Sequence, residues 1–202
     1  MSKSRRYVLL DRDGTLNVEK NYLSDPAEIE LLPGVIEGLK LLESRGFGTV
    51  ILTNQSGISR GYFDKRQLEN IHRRLRNLLF VEGITIDGIY YCPHSPNDHC
   101  FCRKPQPGLV YRAAAELKFD PFESFVIGDK RCDIEMGRRV RATTVQVPCK
   151  GYEAEDEIEG AEPDFVARDL VEAATLILQL VQQPRGQSPA VELGSIRRKI
   201  PG

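Results

Sequence analysis

The junction between Tyr7-Val8-Leu9-Leu10 and Asp11-Arg12-Asp13-Gly14-Thr15 constrains this chain more than any other stretch. Four apolar residues in a row, with no polar alternation, suit a strand covered on both faces, as in a parallel sheet packed between helices. Gly14 then lets the chain turn sharply away. In open α/β sheets ligands bind at that edge, so two carboxylates stand where a ligand is expected. Asp11 and Asp13 are two apart, and a regular strand would aim both at one face; if the turn has begun, Asp13 offers its backbone carbonyl instead. In either geometry oxygen donors gather at one point, which suits Mg²⁺. A strand followed by an Asp-Gly turn has the same local sequence, so the rest of the chain must decide.

Strand and helix patterns alternate from there on. Val35, Leu39 and Leu42 share a helical face that ends at Gly46, and Phe47 to Leu52 reads as a strand. Asp64 caps a longer helix carrying Leu68, Ile71, Leu75 and Leu78, and Ile84 to Tyr91 is the next strand. Pro107 starts a helix with Leu109, Ala113 and Leu117 inward; Phe125-Val126-Ile127 is a strand delivering Gly128-Asp129-Lys130. A short helix over Ile134 to Val140, a strand over Thr143 to Val147, an edge strand over Asp164 to Ala167 and a helix over Leu170 to Val181 complete the series. This order predicts an α/β fold with a doubly wound parallel sheet, in a single domain over residues 1–183. Residues 184–202 turn Pro-, Gly- and Ser-rich and read as a flexible C-terminal extension.

A formal net charge of −1 argues against broad attraction to nucleic acid or to a membrane surface. The basic start, Met1 to Arg6, leads into only four apolar residues, too few for a signal-peptide core, and no run approaches transmembrane length. A cytoplasmic location follows as the expectation, and the cysteines read as thiols or metal ligands before disulfides.

Several strands end in polar residues of one chemical flavour: Asp11 and Asp13, then Thr53 and Asn54, then Asp129, with Arg103-Lys104 in a loop between the last two. Carboxylates hold a divalent cation, and Thr, Asn and Lys supply donors for a phosphoryl group. Singly, each has a bland reading as a cap, a turn former or a solvated charge. The set in this order is what points to phosphoryl transfer.

Cys92-Pro93-His94 and Cys100-Phe101-Cys102 form the second signal. Three thiolates and one imidazole complete a tetrahedral zinc shell with no open position, which implies a structural metal. The intervening Ser95 to His99 lacks a hydrophobic anchor, and a metal would order it. His94 is favoured as the fourth ligand over His99, whose adjacency to Cys100 makes joint ligation awkward. Cys132 and Cys149 read as free thiols, and His72, among arginines, as a surface residue.

Asp11-x-Asp13-Gly14-Thr15, Thr53, Lys104 and Gly128-Asp129-x-x-x-Asp133 resemble the four motifs of the haloacid dehalogenase superfamily of phosphatases, in their order. That resemblance implies catalysis by Asp11, Asp13, Thr53 and Lys104: Asp11 attacks phosphorus, Asp13 acts as acid and then base, and Lys104 and Thr53 hold phosphoryl oxygens. It further implies Mg²⁺ on Asp11, the Asp13 carbonyl and Asp129, with Asp133 in support. Only short segments separate the motifs, which leaves no room for a cap domain and moves substrate choice to loops such as the zinc loop.

Longer strings resemble the D-glycero-D-manno-heptose 1,7-bisphosphate phosphatases: Asp11 to Asn17, Thr53 to Gly61, Tyr90 to His94, Cys102 to Pro105, and Gly128-Asp129-Lys130. By that resemblance Glu19, Lys20, Asn21, Tyr22, Asn54, Gln55 and Ser56 bind substrate, and Arg103 and Lys130 recognise the sugar and its phosphates. The implied activity is hydrolysis of the C7 phosphate of a heptose bisphosphate, in precursor supply for lipopolysaccharide, by a monomer. The short gap between His94 and Cys100 resembles instead the related histidinol-phosphate phosphatases, the alternative enzyme. A catalytically silent zinc-binding module would not need Asp11, Asp13, Thr53, Lys104 and Asp129 together. A nucleic-acid phosphatase would be expected to show an aromatic stacking stripe, and none is evident.

Overall fold

In the computed structural model, which describes residues 5–148 and 161–182, the apolar run at the start becomes the inner strand of a six-stranded parallel sheet. The strands are β1 (Tyr7–Leu10), β2 (Gly48–Asn54), β3 (Gly88–Cys92), β4 (Phe125–Gly128), β5 (Thr143–Gln146) and β6 (Phe165–Val166), in the order β3-β2-β1-β4-β5-β6. All four residues of β1 are buried, as both-face coverage requires. Leu10 lies opposite Ile51 of β2 and Ile127 of β4, so β1 and β4 end at nearly the same level while β2 runs on to Asn54. The chain winds outward in opposite directions from β1, and the crevice where it reverses opens beside Asp11.

Five α-helices cover the faces: α1 (Val35–Ser44), α2 (Lys65–Val81), α3 (Gly108–Leu117), α4 (Arg131–Arg139) and α5 (Leu170–Gln182). The two-residue period of the strands sorts the core into two layers. Val8, Leu10, Ile51 and Ile127 pack with Leu39 and Leu42 of α1 and Leu176 and Ile177 of α5. Tyr7, Leu9, Val50, Leu52 and Val126 pack with Leu109, Val110 and Ala113 of α3 and Met136 of α4. Asp64 caps α2 by accepting from Gln67 N at 2.7 Å while the Gln67 side chain accepts from Asp64 N, a reciprocal cap worth about 1 kcal/mol.

Several boundaries differ from the sequence pattern. The strand expected over Ile84 to Tyr91 begins only at Gly88, because Asp87 intervenes: its Oδ2 accepts from Thr49 N and its Oδ1 pairs with Arg5. Helix α4 begins at Arg131, ahead of the expected Ile134, since Asp133 Oδ2 accepts from Lys130 N and starts the helix through a polar first turn. His72, expected at the surface, is buried on the core side of α2 with Leu68, Ile71, Leu75 and Leu79. The C-terminal extension and Cys149 lie outside the described residues. Among the described residues, no helix is long and apolar enough to cross a membrane.

Candidate active site and metal centre

The chain leaves β1 at Asp11, whose N–H still donates to the Ile127 carbonyl at 3.1 Å, and the turn has begun by Asp13. The two carboxylates therefore part company. Asp11 Oδ1 accepts from its neighbour's backbone, Arg12 N, at 2.7 Å and pairs with Lys104 Nζ at 2.7 Å. The Asp13 carboxylate turns to Arg12 Nε and Nη2, Asn17 Nδ2 and Gln55 Nε2, at 2.7 to 3.0 Å. Gly14 makes the turn at a φ of +87°, and a Cβ there would collide with the Asp129 carboxylate.

Lys104 is buried and meets three oxygens: Asp11 Oδ1, Asp133 Oδ1 at 2.6 Å and the Leu52 carbonyl at 2.8 Å. Burial disfavours its charge, but Asp11 and Asp133 outweigh that and push its pKa above the ordinary lysine value. Asn54 clamps the lysine's backbone, donating to the Lys104 carbonyl and accepting from Lys104 N. Asp129 and Asp133 complete an acidic group with Asp11, one oxygen of each lying within 4.8 Å of the others. Burial, reinforced by the Asp11 charge, pushes Asp129 up to about 7; burial raises Asp133 to about 6 against the pull of Lys104. With Asp11, these two carboxylates of raised proton affinity form an all-oxygen set that fits a hard divalent cation.

Burial acts the same way on Asp13, yet the result is opposite. Desolvation would raise it, but the charge and hydrogen bonds of Arg12, with those of Asn17 and Gln55, bring it down to about 2. Asp13 is thus ionised and firmly held. Thr53, at the end of β2, accepts from Gln55 Nε2 at 2.8 Å, so one amide links Thr53 to Asp13.

Above this floor is a cavity of about 320 Å³ lined by Asp11, Asp13, Glu19, Asn21, Tyr22, Leu23, Thr53, Asn54, Gln55, Ser56, Arg103, Lys104, Lys130 and Cys132. It gathers nearly all the residues singled out from the sequence. The exceptions are Lys20, whose ammonium faces Glu30 at 3.6 Å, and Asp129 and Asp133, which belong to the acidic group with Asp11. Cys132 was not foreseen there. It is the second residue of α4, and burial, then the Asp133 charge, pushes its thiol up to about 12. Asn21 and Tyr22 take left-handed backbone at φ 43° and 72°, a strained pair. Tyr22 is braced by Tyr62, edge-on at 4.7 Å, and by the Arg60 guanidinium over its ring. Glu19 and Lys130 pair across 2.6 Å.

Beside the cavity Cys92, His94, Cys100 and Cys102 converge. Their sulfurs lie 3.3 to 3.5 Å apart, and His94 Nδ1 is 3.2 Å from Cys102 and 3.6 Å from Cys92. These spacings are far from a disulfide and near the edges of a tetrahedron around a metal with bonds of about 2.3 Å. His99 stands exposed outside the cluster. Arg103 ties the cluster to the cavity by donating to the His94 carbonyl at 3.2 Å.

A HAD-hydrolase-like family model matches residues 101–173. The chain is similar to D-glycero-beta-D-manno-heptose-1,7-bisphosphate 7-phosphatases: 42% identical to that of Helicobacter pylori over 66% of this chain and 78% of the relative. It is 36% identical to that of Escherichia coli K12, over 85% of this chain and 93% of the relative. Among solved structures, D,D-heptose 1,7-bisphosphate phosphatase from B. bronchiseptica, complexed with magnesium and phosphate, superposes with a TM-score of 0.76 at 30% identity. That match covers 87% of this chain and 99% of the other.

Proposed function

Because this chain belongs to the D-glycero-D-manno-heptose 1,7-bisphosphate 7-phosphatase family of HAD-like hydrolases, we propose that it hydrolyses the C7 phosphate of that sugar bisphosphate. The observation that carries the reading is the buried contact of Lys104 with Asp11 and Asp133, at the floor of a cavity whose walls include Arg103 and Lys130.

Lys104 and the Arg12 backbone both occupy Oδ1 of Asp11, leaving Oδ2 to attack phosphorus in line and form an aspartyl-phosphate as the bond to the sugar oxygen breaks. Esterification removes the Asp11 charge, and the ammonium of Lys104 then turns to a phosphoryl oxygen. Thr53 already accepts from Gln55, which frees its own hydroxyl proton for a second one. Asp13, ionised in the unliganded site, is ready to take a proton from water in the second half of the cycle. For the first half the substrate's negative charge works against Arg12 and raises the proton affinity of Asp13, so that it can protonate the departing alcohol. When bound to Asp11, the Asp13 carbonyl and Asp129, Mg²⁺ supplies the positive charge that lets two anions approach. Asp133, with one oxygen on Lys104 and one on Lys130 N, holds the lysine in place.

The second phosphate is assigned to Arg103 and Lys130. Lys130 is already neutralised by Glu19, so an incoming phosphate must displace a carboxylate held at 2.6 Å. A dianion can do so; a neutral hydroxyl cannot. The sulfur and imidazole ligands fit zinc in a structural role that fixes Arg103. The enzyme is taken to act as a cytoplasmic monomer on this small anion, in heptose supply for lipopolysaccharide.

Release of inorganic phosphate from the heptose bisphosphate tests the reading. Asp11→Asn is expected to abolish it, and full activity in that variant would rule out the covalent route. The native protein should show a higher kcat/KM for the heptose bisphosphate than for histidinol phosphate; the reverse order would reassign the substrate.

A further inference from the structure

We propose that Arg12 is a positioning residue, its buried guanidinium fixing the direction from which the Asp13 carboxylate meets the leaving oxygen. The proposal rests on the reading of Asp13 as acid and base, and concerns a residue to which neither the motifs nor the cavity lining assigns a task.

Arg12 is 1% exposed and is the largest fully buried side chain among the described residues. Removing a guanidinium from water is costly unless its five donors are met. Arg12 spends them on one group. Nε donates to Asp13 Oδ1 at 3.0 Å and Nη2 to Oδ2 at 2.7 Å, a fork on a fork, while Nη1 is buried without a hydrogen-bond partner. Asp13 is its one ion-pair partner among the described residues.

Asn17 adds a donor to Oδ1 and Gln55 a donor to Oδ2. Four hydrogen bonds share the two oxygens, about as many as a carboxylate can accept, and only Arg12 touches both; Asn17 or Gln55 gives up its single bond when Asp13 takes a proton, while the Arg12 fork keeps the carboxylate's orientation. His72, which feels the same guanidinium, is held neutral by burial and by that charge, so it does not compete for Asp13 as a cation. Proton transfer tolerates little misalignment. The transfer in question moves the Asp13 proton to the sugar oxygen while that oxygen keeps the electron pair of the breaking P–O bond. In the step that forms the aspartyl-phosphate, a turn of the carboxylate therefore penalises alcohols that leave poorly and spares leaving groups that need no proton, while the later hydrolysis is common to both.

Arg12→Lys retains a buried cation and loses the fork. With the heptose bisphosphate, kcat/KM, which reports the steps up to departure of the alcohol, is expected to fall about 10- to 100-fold; with p-nitrophenyl phosphate, kcat/KM should change by less than about threefold, whatever happens to the later hydrolysis that both substrates share. Equal losses on both substrates, or none on either, would overturn the proposal. Should Arg12→Lys fail to fold, Arg12→Met in an Asp13→Asn background strands no carboxylate and carries the test. No further loss beyond Asp13→Asn is expected there, and a further loss on either substrate would show Arg12 acting by another route. Asp13→Asn alone separates the two readings: undiminished turnover of the heptose bisphosphate would remove Asp13 from the chemistry, and the role of Arg12 with it.

Discussion

His72 is the clearest case of a single side chain whose setting decides its chemistry. Burial, helped by the positive charges of Arg12 and Arg76 and opposed by Asp13, lowers its pKa from 6.5 to about 3. The unfolded chain therefore takes up this proton first as pH falls. The contribution of His72 to stability is complete above pH 6.5 and is lost progressively from there down toward pH 3. His72→Leu should remove that slope. Between pH 7.5 and pH 5 the variant is expected to lose on the order of 2 kcal/mol less unfolding free energy than the native protein, measured by urea melts at both pH values. Parallel losses would mean that the imidazole is protonated in the fold. The stripe read from the sequence, Leu68, Ile71, Leu75 and Leu78, closes on Leu79 in the fold, and that rotation brings position 72 inward; the residue's polarity and its arginine neighbours concealed it. Asp11, Asp129 and Lys104 were legible because their chemistry and order were informative. Cys132 was not, since a lone thiol carries no pattern and only the fold turns it toward the cavity.

At the scale of elements, the loop between β3 and α3 joins two tasks. Its thiols and imidazole form a cluster of their own, and the residue that follows the last thiol, Arg103, reaches back to the His94 carbonyl. Losing one ligand should thus disturb recognition before chemistry. For Cys100→Ser we expect loss of bound zinc by elemental analysis and a KM for the heptose bisphosphate raised about tenfold, with kcat much less affected. A fall in kcat at unchanged KM would disconnect the loop from substrate binding. The Cys and His spacing made this element readable without a fold, whereas the starts of β3 and α4 escaped. In both, an aspartate makes backbone hydrogen bonds that hydrophobic periodicity does not register: Asp87 with Thr49 N, and Asp133 with Lys130 N.

Across the whole molecule, buried charges of opposite tendency meet at the edge where β1, β2 and β4 end. Asp129 and Asp133 have folded pKa values of about 7 and about 6, above the ordinary 3.8. Their sign is opposite to that of His72: any stability they lend is present below pH 3.8 and is lost as pH rises through 6 and 7. A divalent cation relieves that penalty and competes with the same protons. Mg²⁺ should consequently raise the melting temperature more at pH 8 than at pH 5.5, as followed by calorimetry. An equal rise at both values would place the ion elsewhere. The parallel sheet and its central β1 were readable from apolar runs, and the accumulation of charge at its edge from the polar residues that follow them. The spacing of Asp11 and Asp13 alone left their geometry open, and only the family resemblance gave them separate roles; that the two carboxylates point apart depends on where the turn begins after the strand.

Lys104 draws its three oxygens from the end of β1, from the backbone of β2 and from α4, which follows β4. Those segments are far apart along the chain and meet only once the sheet has assembled. A chain whose sheet has not assembled therefore cannot hold the ammonium against Asp11. The contact proposed to prepare Asp11 for attack is thus available only to the assembled fold.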